Sequence, residues 1–345
     1  MKAVVYYGPG DIRVEERPGP KERNDNIIAK VYCCAICGSD LKMWKSGNPR
    51  CNPPRIIGHE MAGEITHVGD KITSFDIGDR ITLATTVGCG ECYYCKNGMS
   101  NVCTNSSPIS NATDGAFAEY IEIPYLAVAN GNVIKIPDSL RNEWASLSEP
   151  LSCAINAQER AQLPPDAAVL IIGGGPLGAL HAELAKARGA KTVIISEISE
   201  ERIALLSSLK DIITINSTTT DLKEAVFSHT DNLGVHLVIV CAPTNDAHEQ
   251  SLEYVRKNGN VCFFASLPMD RAMININSRT IHYNELKVYG VSDSRPEHVA
   301  TALELMAQGK IDAEQIITHQ LPMSDFEEGL RLMSAGESLK VILRP

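Results

Sequence analysis

The sequence predicts an α/β protein of two domains, one β-rich and one built on a doubly wound parallel sheet. Three observations carry this expectation. Many short strands fill the first part, to about residue 130. From about residue 165, short apolar runs alternate with longer amphipathic stretches, and a glycine-rich turn stands at the first junction between the two. A chain of 345 residues that is 44% hydrophobic is long enough to bury two cores.

The elements follow in order. "MKAVVYYGPGDIRVEE" alternates apolar and polar residues around a Gly-Pro-Gly turn, which reads as a hairpin. "MAGEITHVG", "DRITLATT", "AFAEYIEIP" and "NVIKIP" continue the β-rich pattern, broken by Gly, Pro and Asp. "AVLIIG", "TVIIS", "DIITIN", "VHLVIVCA" and "VCFFAS" are buried strands, and segments such as "PLGALHAELAKARG" are helices between them. After "LKVYGVS" come a helix, "RPEHVATALELMAQG", and a final strand, "LKVILRP", which either extend the second sheet or return to the first domain.

The amino terminus lacks an apolar core of signal-peptide length, and no run approaches membrane-spanning length, so a cytoplasmic protein is expected, with no membrane partner. Eleven cysteines in a reducing compartment point to metal or reactivity rather than disulfides. A net charge of -10 with no Lys/Arg-rich run argues against nucleic acid as a partner.

"AAVLIIGGGPLGALHAELAKARGAKTVIISE" places Gly173, Gly175 and Gly178, with Pro176 and Leu177 between the last two, at the turn from an apolar strand into a helix. This is the G-x-G-x-x-G spacing: a tight turn, a close backbone approach to a pyrophosphate, and close packing of helix on strand. A second strand ends at Glu197, where a carboxylate can accept hydrogen bonds from ribose hydroxyls and would repel the extra phosphate of NADP. NAD is therefore the expected cofactor. Arg202, at the start of the next helix, either neutralises a phosphate or is a solvated surface charge.

"CGECYYCKNGMSNVC" supplies Cys89, Cys92, Cys95 and Cys103 at C-x2-C-x2-C-x7-C spacing. Four thiolates in one loop suit a closed, structural zinc site. A redox C-x-x-C pair would leave two cysteines unexplained, and the spacing departs from ferredoxin patterns. A second set is dispersed: Cys37 in "CGSD", His59 and Glu60 in "GHE", and Glu149 in "SEPLSC". One thiolate, one imidazole and carboxylates suit a catalytic zinc with an open position.

Taken in order, "CGSD", "GHE", the four-cysteine loop, "EPLS" and "GGGPLG" resemble the zinc-dependent medium-chain dehydrogenases along essentially the whole chain. Within that family the resemblance is to the polyol branch, including sorbitol (L-iditol) and galactitol-phosphate dehydrogenases, with threonine dehydrogenases close by. It implies a GroES-like catalytic domain over 1–149, completed by 291–345, a Rossmann NAD-binding domain over 150–290, an active site in the cleft between them, and a homodimer or homotetramer.

By position, the resemblance makes Cys37 and His59 the firmest catalytic-zinc ligands, with Glu60 and Glu149 at the carboxylate positions, binding directly or through water. Neighbours on an extended strand point opposite ways, so His59 and Glu60 can face one metal only if the backbone turns there. Ser39 matches the family's hydroxyl that takes the alcohol proton. Lys42 stands where relatives often carry a histidine that releases the proton to solvent; an ordinary ammonium is a poor carrier at neutral pH, so Lys42 relays only if perturbed, contacts substrate or cofactor as a cation, or is merely solvated.

The implied reaction passes hydride from a secondary alcohol of a polyol or sugar alcohol to NAD, with one catalytic and one structural zinc per chain. A polyol phosphate, a threonine-like amino alcohol, or a regulator that has lost catalysis are the alternatives. Where sorbitol dehydrogenases carry a substrate-contacting arginine, this chain has Asp293, with Arg295 nearby, which puts sorbitol itself in doubt.

Overall fold

The computed structural model describes residues 1–345. The chain divides into two compact units, Met1–Cys153 with Asp293–Pro345, and Ala154–Ser292. The α/β fold class expected from the sequence holds, and the last segment returns to the first unit's sheet.

The first unit is β-rich. Strands β1 (Lys2–Gly8) and β2 (Asp11–Glu16) form the amino-terminal hairpin, and β4 (Arg55–Ile56) pairs on the other side of β1. The larger sheet is centred on β3 (Asn26–Ala35) and β5 (Glu60–Val68), continues through β6 (Arg80–Leu83) to β8 (Val133–Lys135), and carries β7 (Tyr120–Pro124) against β3. Its apolar face buries Ile27, Met61, Ile81 and Phe117 almost completely. Each such side chain contributes roughly 1.5–3 kcal/mol by leaving water.

The second unit is a six-stranded sheet, every neighbouring pair parallel. Its strands are β9 (Ala168–Ile172), β10 (Thr192–Glu197), β11 (Ile213–Asn216), β12 (Val235–Val240), β13 (Val255–Phe263) and β14 (Lys287–Gly290). They lie in the order β11-β10-β9-β12-β13-β14, so the direction of winding reverses beside β9, where open α/β sheets bind ligands at their carboxyl ends. All five residues of β9 are buried, as a strand covered on both faces requires.

Behind that sheet, His181 on the helix Pro176–Ala187 is fully buried. The Gln158 amide donates to the His181 carbonyl at 2.8 Å and faces its Nδ1 at 3.3 Å, which leaves the ring proton on Nε2. Burial pushes the imidazole down to about 3, with Arg188 adding to the shift. The unfolded chain therefore binds a proton below its ordinary value of 6.5 that the folded chain refuses. Stability from this residue is complete above that value and is lost as pH falls towards about 3, at up to about 1.4 kcal/mol per pH unit. Between about pH 7 and pH 5, urea unfolding should show His181→Leu losing about 2 kcal/mol less stability than the wild type. Equal losses would mean that the imidazole does protonate in place.

The remaining strands, β15 (Ile317–Pro322) and β16 (Lys340–Arg344), are parallel to each other, and β16 runs antiparallel to β3. Phe326 from the helix Phe326–Ala335 packs its ring against Phe117, with centroids 5.3 Å apart. The return thus shares the first unit's core.

Candidate active site

Strand register assembles the dispersed set. Ala35 near the end of β3 lies opposite Glu60 on β5 and opposite Ile342 on β16. Cys37, two residues beyond the end of β3, therefore sits beside the start of β5.

The "CGSD" segment is a helix start. Cys37 is the N-cap of the helix Gly38–Ser46: its sulfur accepts the Ser39 N–H at 3.5 Å, and Asp40 accepts the Cys37 N–H at 2.9 Å. This is a capping box with cysteine in the serine position. Asp40 is 1% exposed, and its Oδ1 lies 3.9 Å from His59 Nδ1. Ser39 and Lys42 are exposed one turn apart on this helix.

His59 precedes β5, which begins at Glu60, so the strand alternation that would separate the two side chains does not apply. The turn is made by Gly58 at φ 92, where a Cβ would sit 2.5 Å from the Phe117 ring; only glycine fits. The donor atoms of Cys37, His59 and Glu60 all lie within 4.8 Å of one another. Burial works against a charged His59, but the Cys37 sulfur, Asp40 and Glu149 outweigh it and hold its pKa well above the ordinary range.

Glu60 is also committed elsewhere. Both its oxygens accept from the Lys340 ammonium, at 2.9 and 2.7 Å, and Lys340 donates as well to the Ile36 carbonyl at 3.3 Å. Lys340 is 1% exposed and Glu60 fully buried. Burial opposes the ammonium, yet Glu60, with Cys37 and Glu149 adding, holds the Lys340 pKa above its ordinary value. Sequence reading gave no sign of this lysine. In "LKVILRP" it looks like any polar residue of a terminal strand.

Glu149 lies in the first turn of the helix Ser148–Glu159 and accepts from the Thr85 hydroxyl at 3.3 Å. Burial pushes it up to about 7, against the pull of His59. Cys153, one helical turn on, points its thiol at the Glu149 carboxylate at 3.9 Å. Its thiol belongs to this cluster.

The four-cysteine loop comes together as well. Cys89, Cys92, Cys95 and Cys103 hold their sulfurs within 4.8 Å of one another, and the Cys92 and Cys103 sulfurs are 3.7 Å apart. A tetrahedral site with Zn–S bonds of about 2.3 Å spaces its sulfurs at about 3.8 Å, so the loop fits zinc. Backbone N–H groups of Cys89, Cys92 and Asn105 already point at sulfurs, each at 3.3 Å. The Cys95 amide draws the Cys92 thiol down to about 6, towards the thiolate that metal binding needs.

In the second unit the glycine turn follows β9. Gly173 takes φ 107, and a Cβ on Gly178 would lie 2.1 Å from the Gly173 carbonyl, so the helix packs hard on the turn. Around Gly175 the space is open within 4 Å, and as N-cap it gives the helix Pro176–Ala187 no side-chain cap, with Pro176 at its first turn and Leu177 behind it. Uncapped N–H groups facing open space suit a pyrophosphate. Glu197, 4% exposed at the end of β10, accepts the Gly174 N–H at 2.8 Å and the N–H groups of Ile198 and Ser199 at 2.7 and 3.0 Å. Arg202 places its guanidinium 3.8 Å from the same carboxylate, a partner that the surface-charge reading did not anticipate.

Known proteins share this organisation. Residues 23–138 match the alcohol dehydrogenase GroES-like domain, and residues 176–308 match the zinc-binding dehydrogenase domain. The chain is 36% identical to the L-threonine 3-dehydrogenase of Pyrococcus furiosus, over 99% of this chain and 97% of that protein. It is 31% identical to the sorbitol dehydrogenase of Halalkalibacterium halodurans, over 100% and 99% of the two chains. A zinc-binding dehydrogenase of Sinorhizobium meliloti solved bound to NADP superposes with a TM-score of 0.91 at 29% identity, covering 100% of this chain and 99% of that one. No helix is long and apolar enough to cross a membrane.

Proposed function

This chain belongs to the NAD(P)-dependent zinc alcohol dehydrogenase family, and from that premise we propose that it oxidises a secondary alcohol of a polyol or sugar alcohol with NAD. The observation that carries the reading is the mixed donor set of Cys37, His59 and Glu60 gathered within 4.8 Å beside the buried Glu149. Thiolate, imidazole and carboxylate together suit a zinc that keeps an open position, unlike the four-sulfur loop.

When bound, zinc supplies a Lewis acid that favours the alkoxide, and the nicotinamide supplies the hydride acceptor. The protein's own residues do the rest. Cys37 is fixed by its cap, and Asp40 ties that cap to His59. Lys340 holds Glu60 by both oxygens, so Cys37 and His59 would hold the zinc with either Glu60 or Glu149 as its carboxylate ligand. Ser39, exposed two residues after Cys37, takes the alcohol proton. Lys42, exposed in bulk solvent one turn on, leaves the final step to water.

On the cofactor, Glu197 supports NAD, because its buried carboxylate abuts the glycine turn where a ribose phosphate would meet it. Arg202 already faces that carboxylate and is partly neutralised by it. The likeness to an L-threonine 3-dehydrogenase favours, as a second reading, a vicinal amino alcohol such as threonine.

Zinc-loaded protein should reduce NAD with at least one unphosphorylated polyol, and should prefer NAD to NADP by about tenfold or more in kcat/KM. The check is NADH absorbance over a panel of polyols and threonine with each cofactor. Turnover of threonine alone would move the conclusion to the second reading, and a preference for NADP would overturn the role of Glu197.

A further inference from the structure

The two carboxylates of the candidate metal site stand on separate elements, Glu60 at the start of β5 and Glu149 in the first turn of the helix Ser148–Glu159. A buried side chain joins those elements. Thr82 on β6 donates its hydroxyl to the Met61 carbonyl at 2.7 Å, and its oxygen lies 3.3 Å from the Ser148 hydroxyl. Met61 follows Glu60 and Ser148 precedes Glu149, so this tie runs from the neighbour of one carboxylate to the neighbour of the other.

The hydrogen-bond directions fit. A hydroxyl carries one proton and accepts as well, so with the Thr82 proton on Met61 the Ser148 hydroxyl is the donor at the other end, shared with the Ala145 carbonyl at 2.6 Å. Thr82, Met61 and Ser148 are all fully buried, and a buried carbonyl left without its donor is costly.

The tie stands where the backbone ladder has ended. β5 and β6 pair through Gly63 with Ile81 and Glu64 with Arg80, so at Met61 a side chain connects the two strands. The same segment reaches Glu149 a second time, through the Thr85 hydroxyl on its carboxylate at 3.3 Å. A β-branched residue suits the strand at position 82, and valine would have the same shape; the hydroxyl is what threonine adds.

Resting on the zinc reading of this site, we propose that Thr82 is a positioning residue: it fixes the placement of Glu149 relative to Glu60, and with it the affinity of the candidate catalytic zinc, whichever carboxylate binds. The four-cysteine loop takes nothing from the tie, because its ligands all lie within residues 89–103, and it serves as an internal control.

The test follows zinc release from the full chain to a chromogenic chelator, without any turnover assay. Wild type should hold two ions, one at each donor cluster. Thr82→Val keeps the shape and removes the hydroxyl; it should weaken one ion about tenfold, as loss of an outer partner of a metal site does, and leave the other unchanged. Thr82→Ser restores the hydroxyl and should bind both ions within about twofold of wild type. Ser148→Ala cuts the other end of the tie. If the two hydroxyls act as one, the double variant Thr82→Val with Ser148→Ala binds zinc no more weakly than the weaker single variant, and additive losses would overturn the tie. Ile81→Val, an apolar trimming on the same strand, should lower the unfolding midpoint without moving either ion. Unchanged affinity in Thr82→Val, both ions weakened together, or no rescue by Thr82→Ser would overturn the role of Thr82 while leaving the metal site in place. Should Thr82→Val fail to fold, Ser148→Ala decides: a selective loss at one ion supports the tie, and unchanged affinity overturns it. A wild type that binds only the ion of the four-cysteine loop removes the second site itself, and the role of Thr82 falls with it.

Discussion

Lys340→Met should cost about 3–5 kcal/mol of folding stability, because it strands the fully buried Glu60 carboxylate without its cation. Two ammonium-to-carboxylate hydrogen bonds and one to the Ile36 carbonyl disappear together. Urea unfolding measures the loss directly. The double variant Lys340→Met with Glu60→Gln should recover most of it, since no buried charge is then left unpaired. A double variant as unstable as the single one would mean that Lys340 acts through packing and not through the ion pair. The recovered protein also isolates function. With Glu60 neutral and stability restored, any residual fall in kcat reports what the charge of the pair does for the candidate metal site.

Cys37→Ala should lower the zinc content from two ions per chain to one and reduce turnover by about a thousandfold or more. The remaining ion is the one expected in the four-cysteine loop, whose sulfurs lie together without help from Cys37. Metal analysis of the purified variant reads the first effect, and NADH formation the second. Cys37 also caps the helix Gly38–Ser46, so its loss costs a further ~1 kcal/mol of local stability. Cys37→Ser replaces the capping sulfur with a capping hydroxyl while removing the thiolate, and should show the same zinc loss with the helix intact. An unchanged zinc count in both variants would refute the ligand assignment.

The fold was legible where local signals repeat. The central strands of the second unit are buried on both faces, so "AVLII" and "VHLVIV" read as strands without any knowledge of their neighbours. The hairpin at the amino terminus and the four-cysteine loop were equally plain, since each closes within a few residues. The site was legible only in part. Cys37 and His59 could be matched to a family pattern, but Lys340 pairs with Glu60 across 280 residues, and no local pattern announces such a partner. Cys153 is hidden for a related reason: a free thiol in a helix looks like packing until the fold shows that it faces Glu149. Asp40 was visible in "CGSD", yet its two jobs, capping the helix and backing His59, appear only when β3 and β5 lie side by side.

The same separation bears on how the protein is made. The four sulfurs of the cysteine loop are all translated within residues 89–103, so that site can close while most of the chain is still on the ribosome. The other site must wait. Glu60 has no countercharge until Lys340 emerges, 280 residues later, and the strand bearing it can then insert beside β3. During synthesis the nascent β-rich unit carries an open sheet edge and an unpaired acid in its core, and the last strand removes both at once. Occupancy of the candidate catalytic centre should therefore come late in biogenesis, after the nucleotide-binding unit has already been made.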